Sequence, residues 1–227
     1  MSALLGSYLK EPVQSHVIIV EQQANREIIR GFTNSRFMSV YGADVKDFLP
    51  HSLALIDHNI HLKATMGYQS ADQHCLYLEQ YLSKPIEQCI AEHLDIVTPH
   101  RKEIVEVGNL ASISYGGTLR LIINLANYFK NIGFKWMVMT AIPQVISVFQ
   151  KLGIETELKT LTKAKAEAVR HSESDWGSYY EKQPFVVCAN ILSSIKSLEN
   201  NELMKKIMQH VQPPAKDANY QLSVGGA

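Results

Sequence analysis

A carboxylate interrupts an otherwise apolar run in the middle of this chain. Residues 104–110 read IVEVGNL, near-continuously hydrophobic as a strand covered on both faces must be, and Glu106 and Asn109 break the run. A glutamate so placed is either half of an ion pair with a basic residue on a neighbouring element or a group that acts on a ligand. The residues that follow, Ala111, Ser112, Ile113, Ser114, Tyr115, Gly116, Gly117 and Thr118, form a loop before a helical pattern begins. A loop at the carboxyl edge of a strand is where open α/β sheets bind ligands. Four other places carry candidate side chains. Arg36 continues the apolar face of an early helix, either as a snorkelling surface residue or as a charge aimed into a cleft. Tyr41 stands where that helix ends. Glu79 is the one charge in the segment CLYLEQYL. Trp176, Tyr179 and Tyr180, in WGSYY, are three large aromatics beside a glycine, either a packing cluster or a lid over a ligand.

The elements that position these residues follow from periodicity. From Thr118 the spacing changes from two to about 3.6, with Ile122, Leu125, Ala126 and Phe129 on one face and Arg120, Asn124, Asn127 and Lys130 largely on the other. Gly133 suits the end of that helix. KWMVMT (135–140) is a second buried strand, and Pro143 opens a second helix striped by Val145, Val148, Phe149 and Leu152. The result is a β-loop-α-β-α unit whose crossover must be right-handed. Before it, HVIIVE is a first strand and Asn25 is a candidate cap for a helix bearing Ile28, Ile29 and Phe32. Residues 52–57 and 62–68 form a hairpin about Asp57-His58-Asn59, and Pro85 opens a helix with Ile86, Cys89, Ile90 and Leu94 inward. After Gly153 we expect a strand over 155–161, a mobile polar connection over 163–174 and a strand over 185–190. A final helix over 199–211 has Leu203, Met204 and Ile207 inward. One domain spanning 1–227 is expected, with a flexible tail from about residue 212.

Composition excludes several classes. The 227 residues are 46% hydrophobic and 19% charged, and 22 basic residues balance 22 acidic ones. That charge balance favours neither a nucleic-acid backbone nor an anionic membrane in bulk, though it leaves peripheral membrane contact open. Cys75, Cys89 and Cys188 have neither C-x-x-C nor Cys/His ligand spacing, which argues against a disulfide framework and against a metal site. No stretch approaches the roughly 20 apolar residues of a membrane helix, and the N-terminus lacks the basic and apolar regions of a signal peptide. A cytoplasmic protein is expected.

The element order, an antiparallel hairpin, a helix, then strand–loop–helix–strand–helix–strand, resembles the GNAT N-acyltransferase superfamily. VEVGNLAS resembles its fourth strand, GTLRLIINLANYFKNIGFKWMVMT the helix and strand that follow, and VISVFQKLGI the next helix. EVGNLA and MVMT, each followed by a helix, resemble the acyl-homoserine-lactone synthase branch. SVYGADVKDFLP, YLEQYLSKPIE, IVEVGNLAS and WGSYY, in order over nearly the whole chain, resemble the thermostable hemolysin family.

The resemblance implies a single GNAT-like domain: a mixed central sheet with an antiparallel N-terminal half, a β-α-β-α core and a C-terminal strand, flanked by helices. It implies transfer of a medium or long acyl group from an acyl carrier protein or acyl-CoA thioester to a small-molecule amine, with no metal. Glu106 would be the base. Backbone groups at Asn109, Leu110 and Ala111 would hold the pantetheine arm and the oxyanion, beside Ser112, and Gly116, Gly117 and Thr118 would receive a phosphate. Arg36, Tyr41, Glu79, Trp176, Tyr179 and Tyr180 would shape the acceptor pocket. Two departures stand out. The loop is short and has no arginine, which favours a carrier-protein arm over full recognition of coenzyme A. Phe149 stands where many members have a tyrosine that protonates the leaving thiolate. Two other readings remain open: a lytic protein, for which no long apolar or amphipathic segment is found, and a degenerate fold that binds an acyl thioester without turning it over.

Overall fold

The computed structural model describes residues 15–154, 157–208 and 212–224. β1 (His16–Val20), α1 (Gln23–Tyr41), β2 (His51–Ile56) and β3 (Leu62–Ser70) lead into a 3-10 turn, Tyr77–Tyr81, and α2 (Ile86–Leu94). β4 (Ile104–Ser112), α3 (Tyr115–Asn131), β5 (Trp136–Ala141) and α4 (Pro143–Lys151) form the expected β-α-β-α unit. β6 (Leu158–Lys163), β7 (Phe185–Asn190), α5 (Ile191–Glu199), α6 (Glu202–Met208) and a short β8 (Ala215–Lys216) complete the chain.

The strands make one sheet in the order β6-β7-β5-β4-β3-β2-β1-β8. β4 and β5 are parallel, as are β1 and β8, and the remaining pairs are antiparallel. The β2–β3 hairpin turns where Asp57 Oδ1 accepts from the amides of Asn59 (2.9 Å) and His61 (3.0 Å), the local bonding that suits Asp to tight turns.

Strand alternation divides β4 between two cores. Val105 and Val107 point to the face covered by α3, α4 and α5, where Leu121, Phe129, Phe149 and Ile195 are buried. Ile104 points to the other face, whose covering is split: α1 packs Ile29, Phe32 and Phe37 over β1–β3, while α2 packs Ile86 and Ile90 near β5 and β7. Glu106 lies on this divided face.

Two irregularities open the sheet there. Gly67 pairs with Gly108 and Thr65 with Ala111, so Asn109 and Leu110 together oppose Met66 in a β-bulge, and Asn109 takes a left-handed φ of 50°. The extra residue reverses the alternation, so that Ala111 packs into the α1 core. The β4–β5 pairing runs from Ile104↔Trp136 to Val107↔Met139 and then stops.

Several expectations need correction. Asn25 does not cap α1. It lies inside the helix, where its Nδ2 donates to Asp217 Oδ2 and to the Tyr220 carbonyl, both at 2.9 Å, and its Oδ1 accepts from the Leu222 amide at 3.1 Å. Asp217, itself buried, accepts from the amides of Glu21 (3.1 Å) and Gln22 (3.2 Å) at the start of α1. The segment over 212–224, expected to fray, is thereby docked along β1, because leaving these buried groups unpaired would cost about 1–3 kcal/mol each.

The connection over 163–174 is likewise tied down. Val169 is buried, and Ser172 and Ser174 both donate to Asp47 Oδ2. The expected final helix over 199–211 is α6, Glu202–Met208, and it is preceded by a helix that the periodicity did not reveal, α5. α5 starts directly after β7 because Asn190 Oδ1 caps the Ser193 amide at 3.0 Å. Met204 is buried as expected, while Val211 and the side chains of Leu203 and Ile207 lie outside the described residues. The last strand before β7 begins at Leu158, and Glu155 lies outside the described residues.

Candidate active site

Where β4 and β5 part, a cleft of about 480 Å³ enters the divided face. Its floor is β4, with Glu106 and Gly108 to Leu110, and the end of β5, with Met139 and Thr140. One wall is the 3-10 turn with Tyr77 and Tyr81, and the other is aromatic, built from Tyr41, Trp176, Tyr179 and Tyr180.

Glu106 is 4% exposed, and every protein group bonded to it is a donor. Gln69 Nε2 and the Tyr77 amide donate to Oε2 at 2.7 and 2.8 Å, and the Leu78 amide donates to Oε1 at 2.9 Å. The expected alternative, an ion pair with a basic residue, is not found among the described residues. Desolvation pushes the carboxyl up to about 7, against the three hydrogen bonds that lower it. None of these three partners can accept a proton from Glu106, which leaves a protonated carboxyl free to donate towards the cleft.

Glu79 lies outside the cleft and has a structural position. Its Oε2 accepts from the Leu76 amide (2.8 Å) and its Oε1 from the Ile86 amide (2.9 Å), and Arg101 grips both oxygens at 2.8 and 3.0 Å. Glu79 therefore holds the turn whose first amides reach Glu106. Arg101 also pairs with Glu87 at 2.6 Å.

The aromatic wall depends on a close approach. The segment after Asp175 is stitched to the end of α1 by a bridge between Asp44 and Asp175 and by the Ser178 amide donating to the Tyr41 carbonyl at 2.8 Å. Gly177 has φ 49°, and a Cβ there would lie 2.2 Å from the Tyr41 carbonyl oxygen, so glycine is required. The Tyr41 and Tyr179 rings then meet edge to face at 5.3 Å, Tyr179 and Tyr180 at 5.4 Å, and the Tyr180 and Tyr81 hydroxyls bond at 2.6 Å. Tyr41, Trp176, Tyr179 and Tyr180 are thus both a packed cluster and a wall of the cleft.

The expected donor-binding residues divide. Asn109 and Leu110 line the cleft. The Asn109 side chain is used to fix the rim, accepting from the Leu49 amide (2.9 Å) and donating to the Asp47 carbonyl (3.0 Å). Ala111, Ser112, Gly116, Gly117 and Thr118 lie beyond the cleft, at the end of β4 and the start of α3. Ser114 caps α3 through the Gly117 amide at 3.1 Å, so that amide is already satisfied. Arg36 does not reach the cleft. Its Nε donates to the Ser112 carbonyl at 3.2 Å, which brings a guanidinium from α1 to a loop that has no arginine of its own. Phe149 is buried on the opposite face. Sequence reading missed Gln69, Asp47, Tyr77 and Tyr81. Gln69 is set against Glu106 by the register of β3 on β4, which no local turn fixes, so none of the four left a signal in the sequence.

The model of the family described as thermostable hemolysin matches residues 19–195. The chain belongs to the thermostable hemolysin family. No curated protein matches it. Among solved structures it resembles FeeM, an N-acyl amino acid synthase from uncultured soil microbes, at 11% identity and TM-score 0.59, over 82% of this chain and 95% of that one. It also resembles TofI in an apo form, at 10% identity and TM-score 0.55, over 88% and 98% of the two chains. A third likeness is to BjaI, a CoA-dependent acyl-homoserine lactone synthase solved with SAM and isopentyl-CoA, at 11% identity and TM-score 0.53, over 90% and 95%. The fold is accordingly GNAT-like, as expected from the element order. Among the described residues no helix is long and apolar enough to cross a membrane, and no group of His, Cys, Asp and Glu could hold a metal ion.

Proposed function

We propose that the chain is an N-acyltransferase that moves an acyl group from a thioester to an amine. The observation that carries this reading is the buried Glu106, raised to about 7 and held by three hydrogen-bond donors, near the point where β4 and β5 part. Aminolysis of a thioester needs a neutral amine, a proton acceptor and donors for the developing oxyanion. Glu106 would take the proton from the amine, directly or through a water. The amine nitrogen forms a bond to the thioester carbon, the carbon–sulfur bond breaks, and the thiolate leaves to be protonated by solvent. A thiolate is a tolerable leaving group near neutral pH, since a free thiol has a pKa of about 8.5, so the phenylalanine at position 149 does not forbid the step.

The main chain at Asn109, Leu110 and Ala111, beyond the last β4–β5 pair, would hold the pantetheine arm and the oxyanion. The loop from Ser112 to Thr118, with Arg36 behind it, would meet the phosphate. The apolar end of the donor has a natural direction. Val107 and Met139 line the cleft and also a small apolar cavity of about 30 Å³ walled by Phe129, Phe149 and Ile191, which gives the chain a direction, although anything longer than a methylene or two would need these side chains to move. The short loop favours a thioester carried by an acyl carrier protein in the cytoplasm over one carried by coenzyme A.

The test is to incubate purified protein with one fatty acid as its carrier-protein and its coenzyme A thioester, together with primary amines, and to follow amide by mass spectrometry. Amide formed faster from the carrier-protein donor is expected. Amide from neither donor would sink the reading, and a preference for coenzyme A would overturn the donor assignment. Dye release from liposomes by the protein alone would favour the lytic alternative.

A further inference from the structure

The charges in the cleft bear on which amine it accepts. Apart from tyrosine hydroxyls and Cys75, the ionisable groups among the described lining residues are two carboxylates, Glu106 and Asp47, and none of those residues is a lysine, arginine or histidine. The nearby cations are engaged elsewhere. Arg36 bonds the Ser112 carbonyl, Arg101 is held by Glu79 and Glu87, Lys46 pairs with Asp44 at 2.8 Å, and Arg30 lies over the Phe48 ring at 5.5 Å.

An α-amino acid entering amine-first would bring its carboxylate into this space within two bonds of the nitrogen that must approach Glu106. It would find neutral donors only: the Tyr77 hydroxyl, the Trp176 indole N–H and the Thr140 hydroxyl, all buried without a hydrogen-bond partner of good geometry. Neutral donors can hold a carboxylate away from water, as they hold Glu106, but without a cation they do so at a cost, and Glu106 and Asp47 beside it would add like-charge repulsion. An ammonium group meets the opposite conditions, two carboxylates in a lining that includes Tyr41, Trp176, Tyr179 and Tyr180, aromatic residues whose rings attract cations.

We propose that the acceptor is a primary amine with an apolar or aromatic body and no carboxylate, and that α-amino acids are excluded by the charge of the cleft. The inference rests on the acyltransferase reading for what becomes of the amine, and on the cleft alone for which amine binds. It sets the chain apart from FeeM, which is an N-acyl amino acid synthase. The reaction balances as thioester plus amine giving amide plus thiol.

Three probes separate charge from shape: tyramine, tyrosine and tyrosine methyl ester share a ring and an amine, and tyrosine alone among them carries a carboxylate. Binding to the wild-type chain is measured by calorimetry, and acylation by mass spectrometry with a medium-chain carrier-protein thioester. Tyramine and the methyl ester should bind at least about tenfold more tightly than tyrosine and be acylated in preference, the size expected for one unpaired like charge. Equal or tighter binding of tyrosine overturns the proposal, and so does failure of all three to bind. Binding of tyramine and the ester without amide would leave the ligand class standing and remove the acyltransferase reading.

Discussion

Gln69 and Glu106 face each other across the β3–β4 ladder, and Gln69 Nε2 donates to Glu106 Oε2 at 2.7 Å. The pairing explains how a carboxylate can be buried at the centre of a sheet without a cation. Gln69 and the amides of Tyr77 and Leu78 satisfy part of its bonding capacity, while desolvation leaves it a much stronger base than an exposed glutamate. Oε1 accepts only the Leu78 amide and keeps a lone pair for the cleft.

Replacing Glu106 by Gln removes the base and keeps the shape. General-base assistance is worth roughly 10²–10⁴-fold, so kcat/KM for amide formation should fall at least tenfold while binding of the donor changes little. In the wild-type chain kcat/KM should rise as pH passes about 7, where Glu106 loses its proton, and the variant should lack that inflection. An unchanged rate and profile would return Glu106 to a purely structural role.

The same residue sets a pH dependence of stability. Its folded pKa of about 7 lies above the ordinary 4.5, so between these values the folded chain keeps a proton that the unfolded chain has lost. Stability should therefore fall as pH rises through this window and level off above it. The ionised form is disfavoured by about 3 kcal/mol. Glu106→Gln lacks this burden but faces the Leu78 amide with a donor, at a cost of about 1–3 kcal/mol. Thermal melts should show the variant below wild type at pH 5 and close to it at pH 8. A constant gap would contradict the assigned pKa.

Gly177→Ala tests how the aromatic wall is held. The new Cβ would meet the Tyr41 carbonyl at 2.2 Å in a backbone conformation with φ 49°, and strain of this kind costs at least about 1–3 kcal/mol. A lower melting temperature and weakened amine binding are expected together. A variant as stable as wild type would show that the wall can form another way.

Met139→Ala tests the path of the acyl chain. Met139 lines both the cleft and the small cavity walled by Phe129, Phe149 and Ile191, and its truncation should cost about 2–5 kcal/mol while enlarging the apolar space next to the cleft. The preferred thioester should then have a longer acyl chain, as read from kcat/KM over a series of even-numbered chains. An unchanged optimum would place the acyl group elsewhere.

Hydrophobic periodicity alone was enough to place the β2–β3 hairpin, the β-α-β-α unit from β4 to α4 and the apolar strand that Glu106 interrupts, because the spacing of buried side chains reports which face of an element is covered. It could not report what covers that face. Whether Glu106 meets a lysine or a glutamine was decided by the register of β3 against β4, and whether Glu79 serves the cleft or the turn beside it was decided by the approach of Arg101 across 22 residues. Arg36, on an apolar face in sequence, ends at the Ser112 carbonyl because α1 crosses the end of β4. Asn25 looks locally like a helix cap, yet its partner is Asp217, 192 residues away, and the same bonds fix the segment over 212–224 that composition marks as a loose tail. Local pattern carries the preference of a backbone for helix or strand; hydrogen bonds between distant polar groups form only once the sheet has brought them together, and those bonds decide the chemistry of this cleft.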